Sequence, residues 1–128
     1  METAVELPES VISAFHLMWD GFPEPVNIIH KSRKIMAVNR AGQAVGLTPG
    51  VFCSRLGSPK DHKGCLANKC VATGEPQYVS IAKETHEAVG FWLPIEGYPE
   101  FYIHFGVGTS LNYKTGKKVS PLEEHRAS

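Results

Sequence analysis

The chain has 128 residues, of which 42% are hydrophobic and 20% charged, and its 13 basic residues balance 13 acidic ones. This length fits one domain with a buried core, and the composition argues against a disordered or fibrous chain. A chain with no net charge has no overall electrostatic attraction to nucleic acid or to an anionic membrane, so neither is expected as the main partner. The N-terminus has no basic and apolar leader pattern, and the longest apolar run, residues 88–95, is too short to span a bilayer. We therefore expect a cytoplasmic protein.

The first predicted element is an amphipathic helix within residues 1–21 that ends near Asp20. Pro8 and Glu9 suit a first turn, and apolar side chains follow at helical spacing, namely Val11, Ile12, Phe15, Met18 and Trp19. Two interpretations of this stripe stand equally: it packs against the domain, or it also pairs with its copy in a homodimer.

Apolar runs and turn residues predict five strands with short helices between them. A polar tetrad at residues 31–34 separates the two runs of a β-hairpin, and short helices should begin at Arg40. A helix over residues 65–72 should end at Gly74, because glycine just past the end and a proline two residues later stop a helix. A turn at residues 96–99 joins the last two strands. The strands are expected at residues 25–30, 35–38, 76–84, 88–95 and 100–109.

The last strand alternates, since Phe101, Ile103, Phe105 and Val107 share one face and Tyr102, His104 and Gly106 the other. One of these faces is expected to form the core. The order of elements indicates an antiparallel sheet with helices against one face. Residues 111–128 are polar, with a proline that interrupts any helix, and should form a flexible tail.

All the cysteines lie in one polar stretch, CSRLGSPKDHKGCLANKCVATGEP, residues 53–76. Cys53, His62, Cys65 and Cys70 bring three thiols and an imidazole together in the sequence, and soft or borderline metals prefer these ligands. The spacing departs from the usual zinc pattern, because four residues rather than two separate Cys65 from Cys70.

Three interpretations of this stretch remain open. The cysteines are small hydrophobic core residues beside a solvent-facing His62, or they bind a metal ion or iron–sulfur cluster, or they form a redox switch. The last interpretation places Cys65 at a helix N-terminus beside Lys63, where a thiolate is favoured. An odd number of cysteines fits reduced thiols or metal ligands better than a disulfide framework.

The order of elements resembles the PAS sensor domain over residues 25–109. Asn39-Arg40-Ala41 matches an N-x-A element after the second strand, and residues 72–76, Ala-Thr-Gly-Glu-Pro, match a TGEP-like segment before the third. Some PAS sequences also carry a cysteine where Cys53 lies and a C-x-x-C pair whose second cysteine matches Cys65. His62 takes the place of the first cysteine of that pair. The resemblance implies an α+β fold with a five-stranded antiparallel sheet, short helices on one face and an N-terminal amphipathic helix.

The resemblance also implies a sensory or signalling module, with residues 22–110 as the PAS-like domain and dimerisation through the flanking helix. Such a module binds haem, flavin, another small ligand or nothing between its sheet and helices, and acts on a downstream signalling protein. Candidate residues for a planar ligand are Phe91, Trp92, Tyr102 and His104. The sequence does not name the cofactor, and it favours a metal ion or an iron–sulfur cluster over haem or flavin.

Two other functions remain as alternatives. One is a small metal-binding or iron–sulfur redox sensor that uses the cysteine stretch. The other is an enzyme with a Cys-His nucleophile, for which His62 and Cys65 supply the residue types. No third residue that would orient the pair is evident, so we do not expect an enzyme.

Overall fold

A single antiparallel sheet organises the structure. The computed structural model describes residues 6–55, 65–82 and 87–108. The helices and strands are α1 (Glu9–Trp19), β1 (Val26–His30), β2 (Ile35–Val38), α2 (Arg40–Ala44), a 3₁₀ turn (Cys53–Arg55), α3 (Ala67–Thr73), β3 (Gln77–Ala82), β4 (Glu87–Pro94) and β5 (Phe101–Val107). In this described part, five strands pair in the order β2-β1-β5-β4-β3.

These elements confirm the predicted α+β fold, and all five strands lie where they were predicted. The predicted end of the third strand at residue 84 and the predicted tail at residues 111–128 lie outside the described residues. The division of the chain at residues 21 and 110 stays a prediction. None of the helices in the described ranges is long and apolar enough to cross a membrane.

The predicted β1–β2 hairpin is present and has an unusual turn. The amide of His30 donates to the carbonyl of Lys34 at 2.9 Å, which closes the turn. Inside the turn Arg33 has a φ of 80°, a left-handed conformation that is costly for a residue other than glycine.

The predicted end of α3 is confirmed. Gly74 has a φ of 65°, and its amide donates to the carbonyl of Cys70 at 2.9 Å, as expected for a glycine that ends a helix. The predicted start was two residues too early. The helix begins at Ala67, so Cys65 precedes it, because the first turn starts after the non-helical residue Leu66.

Both faces of the sheet form hydrophobic core, which corrects the expectation that only one face of the last strand is core. Tyr102 belongs to a cluster on the face that packs against α3, which we call the inner face. Phe101 belongs to a second cluster on the opposite face, the outer face, which α1 covers. The reason is that α1 folds back onto the sheet and places Phe15 against the outer cluster.

Only some of the apolar residues predicted on the N-terminal helix pack against the sheet. Phe15 is buried, and the Trp19 ring centroid lies 5.3 Å from that of Phe105 on β5. Met18 is 69% exposed and its neighbour Leu17 is 86% exposed, so these two side chains are largely in solvent.

The side chain of Asn39, between β2 and α2, connects several segments. Its Oδ1 accepts from the amide of Val26 at 2.8 Å and caps α2 by accepting from the amide of Gly42 at 3.0 Å. Its Nδ2 donates to the carbonyls of Trp19 and Glu24, each at 3.0 Å. The side chain is fully buried, so a substitution that removes it leaves all these backbone groups without their partner.

We predict that Asn39→Ala lowers the free energy of unfolding by about 3 kcal/mol, because several buried backbone groups lose their partner at once. Urea unfolding measures this change. Gln43→Ala is the control, since it removes a single side-chain bond, from Gln43 Nε2 to the carbonyl of Val38, and should cost about 1 kcal/mol. Equal losses in the two variants would contradict the proposed role of Asn39.

Candidate functional site

The four residues predicted to line a ligand pocket lie on two faces of the sheet. Trp92 pairs with His104 on the neighbouring strand, and their rings stack at 4.8 Å between centroids and 14° between planes. Both lie on the inner face with Tyr102. Phe91 is on the outer face, where its ring stacks on that of Phe105 at 5.0 Å. Since neighbouring residues in a strand point to opposite faces, Phe91 and Trp92 do not line the same pocket.

His104 is held in one tautomer by its backbone contact. Its Nδ1 lies 2.9 Å from the carbonyl oxygen of Phe91, and since a carbonyl only accepts, Nδ1 carries the proton of the neutral ring. Burial lowers the pKa of His104, although the bond to Phe91 opposes this shift, and the charge of Arg33 lowers the pKa further. Nε2 is therefore a free acceptor, which meets no hydrogen-bond partner among the described residues.

A second free acceptor lies beside His104 on β1. Asn27 is the cross-strand partner of His104, and paired residues share a face of the sheet. The Asn27 side chain is buried, with 8% of its surface exposed, and its Oδ1 has no hydrogen-bond partner in the described part of the chain. Sequence reasoning missed this residue. The available signal was a polar side chain between the apolar residues Val26 and Ile28 of the strand.

The other strand histidine, His30, differs from His104 because both of its ring nitrogens have partners. Nδ1 accepts from the backbone amide of Ser32 at 3.1 Å, and Nε2 lies 3.8 Å from a carboxylate oxygen of Glu100. Burial lowers the pKa of His30, while the charge of Glu100 raises it. His30 is thus a satisfied structural residue.

Arg33 connects the β1–β2 turn to α3 at the edge of the inner face. Its Nη1 donates to the carbonyl of Lys31 at 3.0 Å, and its Nη2 donates to Oδ1 of Asn68 on α3. The guanidinium carbon lies 5.9 Å from the ring centroid of Tyr102, within the range of a cation–π contact. Burial raises the pKa of Tyr102, so its hydroxyl stays protonated. Sequence reasoning did not single out Arg33.

The three thiols, all unbonded, occupy different environments. Cys70 is buried in the inner cluster, and this burial raises its pKa. Cys53 is half-buried, and its backbone amide donates to the carbonyl of Arg33 at 2.8 Å. Burial raises the pKa of Cys53, while Arg33 lowers it and the charge of Cys65 raises it. Cys65 is exposed, and its charge raises the pKa of both Cys53 and Tyr102.

The four predicted metal ligands are not all brought together. Cys70 packs in the core, Cys53 is half-buried against the inner cluster, Cys65 is exposed, and His62 lies outside the described residues. Within the described ranges, no three side chains of His, Cys, Asp or Glu are grouped so that they could hold a metal ion. Metal binding by Cys53, His62 and Cys65 stays a prediction.

The strand order and the helices on both faces define a small α+β domain built on one antiparallel sheet. No protein-family model and no curated protein sequence matches the chain. Among solved structures, the PAS domain from Bordetella pertussis BvgS is similar, with a TM-score of 0.56 and 16% identity over 93% of this chain and 94% of that chain. A domain of an HTR-like protein from Haloarcula marismortui ATCC 43049 matches with a TM-score of 0.47 and 15% identity, over 64% of this chain and 91% of that chain. The chain has the PAS domain fold.

The lowered pKa of His104 predicts a pH dependence of stability. Protonation favours the unfolded chain, so stability should be complete above the ordinary histidine pKa of about 6.5 and should fall as the pH drops through the lower pKa of the folded protein. His104→Gln retains a donor for the carbonyl of Phe91 and should weaken this dependence. Urea unfolding at about pH 7.5 and about pH 5.5 measures it. His30 contributes equally in the wild-type protein and in the His104→Gln variant. If stability depends on pH identically in the two, the pKa of His104 is not lowered by folding.

Proposed function

We propose that this chain is a sensory module for signal transduction, with a binding rather than a catalytic role. It takes up a small ligand on the inner face of the sheet and acts on a downstream signalling protein as a homodimer. The single observation that carries the ligand proposal is the pair of free acceptors, Asn27 Oδ1 and His104 Nε2, on adjacent strands of a PAS fold.

The chemistry of this pair defines the class of ligand. An unpaired buried acceptor costs free energy, and a donor from a ligand removes that cost. Two neighbouring acceptors favour a ligand with N–H or O–H groups. Trp92 and Tyr102 add flat apolar surface to the same face, so the proposed ligand is a planar ring compound that carries hydrogen-bond donors.

Asn27→Leu separates binding from stability. Leucine has a similar size and removes the unpaired acceptor, so the variant should gain about 1 kcal/mol of unfolding free energy in urea. The same variant should bind a donor-bearing ring compound roughly tenfold more weakly, a loss of about 1.4 kcal/mol. Tryptophan fluorescence of Trp92, in a Trp19→Phe background, follows the binding.

The probes are planar N–H heterocycles, each paired with its N-methylated equivalent. Each N–H compound should bind more tightly than its methylated partner, and Asn27→Leu should remove the difference. Equal binding within every pair would contradict the proposal. A haem absorption band that His104→Gln abolishes would also contradict it, since His104 Nε2 would then be an iron ligand.

The proposed dimer surface is the exposed side of α1. Its exposed residues recur at helical spacing, as Ser10, Ser13, Ala14, Leu17 and Met18. Beside them, a cavity of about 300 Å³ separates α1 from the turn after β4, with mainly apolar walls that include Ala14, Met18, Ile95, Tyr98 and Ile103. Because these exposed side chains and the apolar cavity lie on one surface, two copies can pair about a two-fold axis. In this dimer the exposed side chains of each α1 fill the cavity of the other copy.

Leu17→Glu should convert the dimer to a monomer, because it places a charge in the apolar contact. Sedimentation velocity at high micromolar concentration measures the change. Tyr78→Glu is the matched control, because it adds the same charge at a side chain that is 70% exposed on the edge strand β3. The control should leave the dimer intact. A wild-type protein that sediments as a monomer would refute this surface.

A further inference from the structure

The cavity on the outer face is a groove between α1 and the turn that joins β4 to β5. Its lining residues on α1 extend from Ser10 to Trp19, a stretch of helix that rises about 14 Å. Ile95, Tyr98 and Ile103 line it on the side of the sheet. The cavity volume of about 300 Å³ is at the lower end of the range for small-molecule pockets. An engineered cavity of about 150 Å³ binds benzene, so this groove has room for a body of about two rings.

The walls of this groove favour an aromatic body. Phe15, Trp19 and Tyr98 are all lining residues. Phe15 is buried, whereas Trp19 and Tyr98 are half-buried, so their rings are in part accessible to a ligand. Flat rings pack on such side chains by stacking or by edge-to-face contact. A fused two-ring system therefore fits both the volume and the walls.

One carboxylate sets the charge that a ligand should carry. Glu96 is the only charged lining residue in the described part of the chain, and it is exposed. No basic side chain of the described residues pairs with it. A cation beside Glu96 gains an ion pair at the surface and keeps part of its hydration. The ring of Tyr98, two residues further on, also attracts a cation.

We propose that this groove binds an aryl-alkylamine, a compound of about two fused aromatic rings with a protonated amino group, and that the bound amine prevents dimerisation. The binding of the amine is independent of the proposed function. Its effect on assembly rests on the proposed dimer, in which the exposed α1 side chains of the other copy take the same space.

Mass action gives the size of this effect. The amine and the side chains of the second copy exclude each other, so the amine binds the monomer and favours it. Each dimer has two such grooves. An amine at about ten times its Kd therefore raises the apparent dissociation constant of the dimer by the square of about 11, roughly a hundredfold.

The Leu17→Glu variant tests binding alone. It should be monomeric, and Leu17 is not among the lining residues. The probes are naphthylethylamine, naphthylethanol and naphthylacetate at neutral pH, which have the same rings and a positive, a zero and a negative charge. Calorimetry should give the tightest binding for the amine and the weakest for the acetate. Methyl NMR should show shifts at Met18 and Ile103, and none at Ile29 on the inner face.

Further variants in the Leu17→Glu background give the matched controls. Glu96→Gln should weaken binding of the amine about threefold, as expected for a surface ion pair, and leave the alcohol unchanged. Glu75→Gln removes an exposed carboxylate outside the groove and should change neither. Ala14→Phe fills the groove from an exposed lining position and should weaken binding of all three probes.

Sedimentation velocity of the wild-type protein tests the effect on assembly. Saturating naphthylethylamine should convert the dimer to a monomer, and naphthylacetate at the same concentration should convert less of it. A wild-type dimer that persists with saturated grooves would overturn the effect on assembly.

The two proposals fail in different ways. A wild-type protein that is monomeric without amine refutes the dimer and the effect of the amine on it, whereas binding to Leu17→Glu still supports the groove as an amine site. No binding to Leu17→Glu, equal affinities for the three probes, or shifts at Ile29 in place of Ile103 would overturn the amine site, whatever the wild-type protein does in sedimentation.

Discussion

The buried amide of Asn39 is the interaction on which the placement of α1, β1 and α2 depends. Hydrogen bonds are directional, so one side chain that accepts from Val26 and Gly42 and donates to Trp19 and Glu24 sets the position of each segment relative to the others. A buried amide with both ends satisfied is compatible with the core, whereas a half-satisfied one is not. The close approach of α2 adds a second constraint, since a Cβ on Gly42 would lie 2.5 Å from Cγ1 of Val38.

The two faces of the sheet carry different parts of the proposed function and share the same strands. On β5, Phe105 contacts Trp19 of α1 on the outer face, while its neighbour His104 stacks on Trp92 on the inner face. The proposed ligand on the inner face would thus contact a strand that also packs against α1, the proposed dimerisation helix. The end of β5 is tied to the segment after α1 as well, because both carboxylate oxygens of Glu24 accept from the amide of Gly108, at 3.2 and 3.0 Å. These contacts connect the end of β5, the strand that carries His104, to the segment that follows α1.

The inner face departs from the usual rules of stable packing at two positions. Asn27 buries an acceptor without a partner among the described residues, and Arg33 has a left-handed backbone. Each of these costs stability, and in natural proteins such departures concentrate where function requires them. Both departures lie on or beside the inner face. The outer face, by contrast, has well-packed aromatic pairs such as Trp19 with Phe105.

The sequence by itself determined the fold class, the strands and the end of α3. These features follow from local rules: alternation with a period of two, turn residues between apolar runs, and a glycine that adopts a positive φ at Gly74. Asn39 was recognisable as part of an N-x-A element, although its hydrogen bond to α1 was not, because that bond connects segments far apart in the chain. The face of Phe91 also followed from alternation, and grouping it with Trp92 overlooked that rule.

Only the tertiary structure decided which polar groups meet. The proximity of Asn27 to His104 depends on the register between β1 and β5, and no local pattern encodes a register between strands that are distant in sequence. The burial of Cys70 depends on which side of α3 faces the sheet, whereas Cys65 precedes that helix and is exposed. The coverage of the outer face depends on α1 folding back, which the hydrogen bond from Asn39 to Trp19 at the end of that helix supports. In each case the deciding contact is long-range, and its free energy arises from burial and hydrogen bonds that exist only once the chain has folded.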